Sequence, residues 1–230
     1  MADTKISLLT EVTTPALTDV VPIVNAGNTK KVQRHNLLGL GYTAPVAGDF
    51  TWVNQGSASI DSSGDGLLLT CPATAALNFR LQTITAPATP YTITAALQLM
   101  PMTVNYHYPC LGWRQSSDGK IIVFGVQTNT AATDGPNLLS LNKYTSATGA
   151  YSATYVSMPS RIAAGVPLWL RIADDGTNRK CSVSFNGVRW QQIHSVGRTD
   201  YLTATHVFWA GECENATDDL LVTLMSWKVT

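Results

Sequence analysis

Trp169-Leu170-Arg171-Ile172, then Asp175-Gly176, then Ser182-Val183-Ser184-Phe185 and Asn186-Gly187, decide the fold of this 230-residue chain. Apolar and polar residues alternate on both sides of an Asp-Gly pair, the pattern of two half-buried strands joined by a tight turn. Asp-Gly and Asn-Gly tolerate the positive φ angles that such turns demand. The same pattern recurs outward from this hairpin. Residues 78–84, 92–100, 120–127, 207–210 and 220–227 read as further strands, and Asp65-Gly66 and Asp118-Gly119 as further turns. No amphipathic helical run exceeds two turns. The expectation is an all-β, two-sheet antiparallel sandwich of about a dozen strands.

Composition agrees. Charged residues make up 13% of the chain, about half the usual ~25%. Fifteen Lys and Arg balance fifteen Asp and Glu; 29 residues are Thr and three are Glu. Threonine fits a pleated surface, whereas glutamate and lysine are the usual fillers of exposed helix faces. Such a neutral, hydroxyl-rich skin argues against a helical bundle, a disordered chain and a nucleic-acid binder that works by neutralising phosphates. No stretch nears the ~20 apolar residues of a membrane span, and Met1-Ala2-Asp3-Thr4-Lys5 does not open a signal peptide. Cys71, Cys110, Cys181 and Cys213 lie far apart in apolar surroundings, so buried thiols are expected rather than bridges or a zinc site.

The first 41 residues differ in character. Asp19-Val20-Val21-Pro22-Ile23-Val24 and Thr29-Lys30-Lys31-Val32 read as strands around Asn25-Ala26-Gly27-Asn28, followed by a short helical piece around Leu37. A segment of about forty residues buries too little apolar surface to fold securely alone, so this one needs a partner. Gly39, Gly41, Pro45 and Gly48 punctuate a linker. The expected division is a docking segment at 1–41 and a displayed sandwich at 42–230. Val20, Val21, Ile23, Val24, Lys30, Lys31, Val32 and Leu37 are the docking candidates.

Two resemblances enter here. The block from Trp169 to Trp190, with Ser184-Phe185-Asn186-Gly187-Val188-Arg189-Trp190 in the form S-x-(D/N)-G-x-x-W, resembles the concanavalin A-like lectin and glucanase jelly rolls. The N-terminal run, Lys5-Ile6-Ser7 through Asn36-Leu37-Leu38, looks like the leader of tailed-bacteriophage virion proteins, where it precedes β-rich fibre and decoration domains. Together they imply a capsid decoration protein, head fibre or short tail fibre, assembled in the host cytoplasm and displayed on the virion surface. Its partners would be other capsid or tail proteins, in a homotrimer. The alternative implied is an adhesin that binds host surface glycans.

Catalytic constellations are weak. Lectin-like glucanases need two or three carboxylates on one strand, because acid and nucleophile flank one glycosidic bond. Glu212-Cys213-Glu214 puts two acids on one strand face, but the family spacing E-x-D-x-(x)-E is missing, and the segment reads as a strand end entering a polar loop. No G-x-S-x-G elbow, Walker loop, H-E-x-x-H helix or dinucleotide fingerprint occurs. The expectation is a non-enzymatic protein without a cofactor. Asp61-Ser62-Ser63-Gly64-Asp65-Gly66 mimics half a calcium loop through Asp61, Ser63 and Asp65, yet Pro72 stands where the bidentate Glu belongs. An Asp-Gly turn explains the same letters. For a glycan contact the candidates are Tyr144, Tyr151 and Tyr155, around a Thr/Ser/Gly-rich loop. Trp113, Trp169, Trp190, Trp209 and Trp227 are expected in the core, with the tyrosines nearer the surface.

Overall fold

The computed structural model describes residues 20–25, 28–33, 42–102, 104–129, 137–160, 166–214 and 217–230. The chain divides into two compact units, Met1–Gly41 and Tyr42–Thr230. In the first, β1 (Val20–Asn25) and β2 (Asn28–Gln33) pair antiparallel, with Val21 opposite Val32 and Ile23 opposite Lys30. This hairpin carries seven of the docking candidates; Leu37 and the helical piece around it lie outside the described residues.

In the second unit, β3 (Thr51–Val53), β4 (Ser59–Asp61), β5 (Leu67–Cys71), β6 (Arg80–Thr85) and β7 (Tyr91–Leu99) come first. β8 (Cys110–Arg114), β9 (Ile121–Thr128), β10 (Asn137–Tyr144), β11 (Tyr151–Ser160) and β12 (Pro167–Asp174) follow. β13 (Asn178–Ser184), β14 (Gln191–Gly197), β15 (His206–Gly211) and β16 (Leu220–Val229) complete it. One sheet runs β11-β10-β9-β8-β15-β6-β3 and the other β14-β13-β12-β7-β16-β5-β4, with β15 inserted between β8 and β6 and β16 between β7 and β5. This is the two-sheet antiparallel jelly roll that the alternation predicts.

The alternation fills the space between the sheets. Ile93, Ala95, Leu97 and Leu99 of β7 meet Val207 and Trp209 of β15, and Leu111 and Trp113 of β8, in one continuous core. Burial of such side chains contributes roughly 1.5–3 kcal/mol each. The Asn186-Gly187 turn shows why its letters recur. Ser184 Oγ accepts from the Gly187 N–H (3.0 Å), Asn186 Oδ1 accepts from the N–H groups of Val188 and Arg189 (2.9 Å each), and Trp190 Nε1 donates to Gly187 O (3.2 Å). Gly187 has φ +71°, and a Cβ there would stand 2.8 Å from the Trp169 ring.

One expectation needs correction. The stretch expected as a linker from Gly39 to Gly48 joins the sandwich from Tyr42 onward. Tyr42 is 7% exposed and its ring lies 5.0 Å from that of Trp169. The Thr43 N–H donates to Ser226 Oγ at 2.8 Å, and the Trp227 N–H donates to Thr43 O at 2.9 Å.

Candidate functional site

The outer face of the first sheet holds a second apolar cluster, separate from the core between the sheets. Phe208 and Ala210 of β15 reach it, because odd residues of that strand point into the sandwich and even ones away from it. Phe79, Tyr108 and Tyr144 roof this cluster, with Phe79 and Tyr144 ring centroids 4.9 Å apart. Beside it opens a cavity of about 250 Å³.

The cavity is built on facing residues of β10 and β11. Ser140 lies opposite Ser157, Asn142 opposite Thr154 and Tyr144 opposite Tyr151, and all six line it. Two register irregularities, between Leu141 and Asn142 and between Lys143 and Tyr144, keep these three pairs on one face although their β11 members are three residues apart. Bulges of this kind re-aim side chains. Thr154 Oγ1 donates to Asn142 Oδ1 (2.7 Å), so Tyr151 Oη, 2.8 Å from Thr154 Oγ1, is the donor of that second bond. Ser140 Oγ donates to Tyr108 Oη at 2.8 Å. Tyr106, Leu77, Gln127 and Glu214 complete the described lining.

Glu214 arrives by continuation of β15. Glu212 and Tyr108 exchange backbone hydrogen bonds, Tyr108 N–H to Glu212 O at 2.9 Å and Glu212 N–H to Tyr108 O at 3.2 Å. His107 and Cys213 form a further bridge. Cys213 therefore points into the core, and Glu212 and Glu214 share the opposite face. Glu212 is 1% exposed, and its Oε1 has no hydrogen-bond partner. Burial, and then the charge of Glu214, push its carboxyl up to about 9 against the N–H groups of Asn78 and Glu214 that bond it. At neutral pH Glu212 is a neutral acid.

The tyrosine candidates separate. Tyr144 and Tyr151 meet in the cavity, ring centroids 5.9 Å apart at 74°, with Tyr144 2% and Tyr151 55% exposed. Tyr155 instead packs against the core side of β11, where its hydroxyl donates to Asp200 Oδ2 and Lys143 Nζ stands 3.9 Å above its ring. Tyr91, Tyr108 and Tyr144, expected nearer the surface, are buried. Trp113, Trp209 and Trp227 sit in the main core as expected. Trp169 and Trp190 belong to a third cluster with Tyr42 and Ala96, and Arg171 lies 3.7 Å from the Trp190 ring centroid.

The calcium-like letters form a turn in which Asp61 Oδ1 accepts the Ser63 N–H at 2.8 Å, holding the Asp61 carboxyl below its ordinary value. Among the described residues, no three His, Cys, Asp or Glu side chains stand together to hold a metal ion. Likewise, no described helix is long and apolar enough to cross a membrane. Tyr106 is exposed, as expected of the tyrosines, but nothing in the sequence linked it to this site; Gln127 carried no signal, and Glu214 only that of an acid pair. They meet because the backbone N–H of Tyr106 binds Thr128 O at 3.0 Å, laying residues 106–108 between β9 and the extension of β15.

No family model and no curated protein matches the chain. Solved structures do. The GH43 protein BlXynB of Bacillus licheniformis matches 81% of the chain at 12% identity and a TM-score of 0.58, and the match spans 37% of that protein's length. The carbohydrate-binding module CBM66 of Bacillus subtilis matches 79% of the chain and 94% of its own at 9% identity and a TM-score of 0.51. The GH16 protein of a Bacteroides ovatus mixed-linkage glucan locus, in complex with a product, matches 83% of the chain and 98% of its own at 11% identity and a TM-score of 0.54. At these identities the likeness is one of architecture: residues 42–230 form a concanavalin A-like jelly-roll sandwich.

Proposed function

We propose that this chain is a non-enzymatic, surface-displayed sandwich that binds saccharide in the cavity on the outer face of its first sheet. The observation that carries the reading is the cavity's chemistry. Tyr106 and Tyr151 offer aromatic surface, Gln127, Thr154 and Ser157 offer amide and hydroxyl groups around it, and the buried Ser140, Asn142 and Tyr144 close the cavity behind them. Pyranose rings are recognised by that combination of stacking and hydrogen bonding. Sandwiches of the same architecture include a carbohydrate-binding module and a protein crystallised with a glucan product, so saccharide is the ligand class to test first.

Glycoside hydrolysis needs two carboxyls that both reach one bond. Glu214 lines the cavity whereas Glu212 is sealed beneath it, which supports binding over hydrolysis. Calorimetric titration with a panel of oligosaccharides tests the reading, with Tyr151→Ala as the control for the site. Turnover of any glucan that disappears in Glu214→Gln would overturn the non-enzymatic part.

The setting we propose is the surface of a tailed-phage virion, as capsid decoration, head fibre or short tail fibre, in a homotrimer. Its support is the leader-like sequence of residues 1–41 together with the division of the chain at Gly41. Light scattering that returned a stable monomer at micromolar concentration would sink the trimer.

A further inference from the structure

We propose that the cavity selects saccharide units bearing a free ammonium group, with Glu214 as the counter-charge and Tyr106 and Tyr151 as the aromatic walls; this rests on the saccharide reading above. Of the ten described lining residues, Glu214 is the charged one, and none of the ten is Lys, Arg or His. A uronate or phosphate group entering here meets a carboxylate and no described cation, a repulsive element that rejects anionic units. An ammonium group meets the opposite.

The tyrosines add to this preference. Tyr106 is 45% and Tyr151 55% exposed on the same cavity, and the buried Tyr144 ring holds that of Tyr151 edge-on, at 74° and 5.9 Å. Aromatic faces are electron-rich and attract cations, most strongly where water is excluded. The protein already uses this contact internally: Lys143 Nζ lies 3.9 Å from the Tyr155 centroid, and Arg171 lies 3.7 Å from that of Trp190. Glu212 sits behind the same wall, sealed and with one oxygen unpartnered. One negative charge rather than two therefore faces the cavity.

The test is calorimetric titration of the full-length chain, in mildly acidic buffer where the glucosamine amines are protonated, with four oligosaccharides of equal length: glucosamine oligomers, their N-acetylated counterparts, unsubstituted glucan and a uronate oligomer. The free-amine ligand is expected to bind about tenfold tighter than the N-acetylated one, and the uronate most weakly. Added salt should erode the free-amine preference in the unaltered protein. Glu214→Gln should abolish that preference, so that the free-amine and N-acetylated ligands bind the variant equally. Should this variant misfold, the salt dependence and Tyr151→Ala still decide. If N-acetylated or unsubstituted ligands bind as well as the free amine, the ammonium inference is wrong and the saccharide reading stands. If no saccharide of any class binds, both fall together.

Discussion

Glu212 and Glu214 stand two residues apart on one face of a continued strand, yet only Glu214 lines the open cavity. Tyr108 pairs with the Glu212 backbone, and the Asn78 N–H bonds its carboxyl. One acid is thereby held in an apolar layer and the other beside water. Burial disfavours the charged form of a carboxyl, so Glu212 is a buried acid that stays neutral at neutral pH.

That neutrality has a stability consequence. The folded Glu212 carboxyl is raised from about 4.5 to about 9, so between those values the folded state holds a proton that the unfolded chain releases. Its contribution is fully present below about pH 4.5 and is lost as pH rises toward 9, at roughly 1.4 kcal/mol per pH unit. Glu212→Gln keeps a neutral side chain at every pH. The variant should melt progressively higher than the unaltered protein as pH rises from 6 to 9. Parallel melting curves across that window would show that Glu212 titrates as an ordinary carboxyl.

The outer apolar cluster depends on a missing side chain. A Cβ on Gly112 would stand 2.1 Å from Ile122 O and 2.4 Å from Phe208 Cζ. Gly112→Ala must therefore push a central strand or Phe208 aside, which costs about 1–3 kcal/mol or more. In a domain of this size that lowers the melting temperature by about 2–4 °C for each kcal/mol. Gly197, where a Cβ meets nothing within 4 Å, supplies the control. Equal melting temperatures for Gly112→Ala and Gly197→Ala would contradict the packing described.

Much of the sandwich was legible because its signals are local. The Asp-Gly and Asn-Gly pairs mark turns, and alternation assigns Ile93, Leu97 and Trp209 to the core without reference to distant residues. The cavity was not legible in the same way. Tyr144, Tyr151 and Tyr155 look equivalent in sequence, but the irregularities after Leu141 and Lys143 send Tyr151 to one face, while Tyr155 goes to the other. Period-two counting fails at a bulge. The burial of Glu212 was hidden for a different reason: its cover, Tyr108 and Asn78, comes from far upstream. The aromatic placement of Tyr42 was masked by the Gly and Pro residues around it.

All four cysteines are buried free thiols, Cys71, Cys181 and Cys213 between the sheets and Cys110 in the outer cluster. Burial pushes the thiols of Cys71 and Cys181 well above their ordinary range, and Cys213 Sγ donates to Asp218 O at 2.9 Å. The thiolate is the reactive form. A thiol-specific chromogenic reagent should therefore label the native protein slowly and the denatured protein at once. Reductant should leave the melting temperature nearly unchanged, whereas loss of a real bridge costs about 2–5 kcal/mol. A marked fall in melting temperature with reductant would mean that at least one pair is oxidised.

Truncation separates display from docking. Tyr42 stacks on Trp169, and Thr43 bonds both Ser226 and Trp227, so the sandwich begins at Tyr42 rather than at the first strand. A protein comprising 42–230 should melt with the full-length sandwich. One comprising 49–230 loses the buried Tyr42 ring and two backbone hydrogen bonds. It should be less stable by roughly 2.5–6 kcal/mol, from about 1.5–3 for the aromatic ring and about 0.5–1.5 for each hydrogen bond. In particle assembly, 42–230 should stay soluble yet fail to join virions that lack the native copy. The hairpin of β1 and β2 should carry attachment, because a two-stranded ribbon offers backbone edges to a partner sheet and is marginal alone. Residues 1–41 fused to an unrelated trimeric domain should then restore incorporation. If 42–230 instead decorates particles normally, the docking surface lies on the sandwich itself, and residues 1–41 serve another purpose.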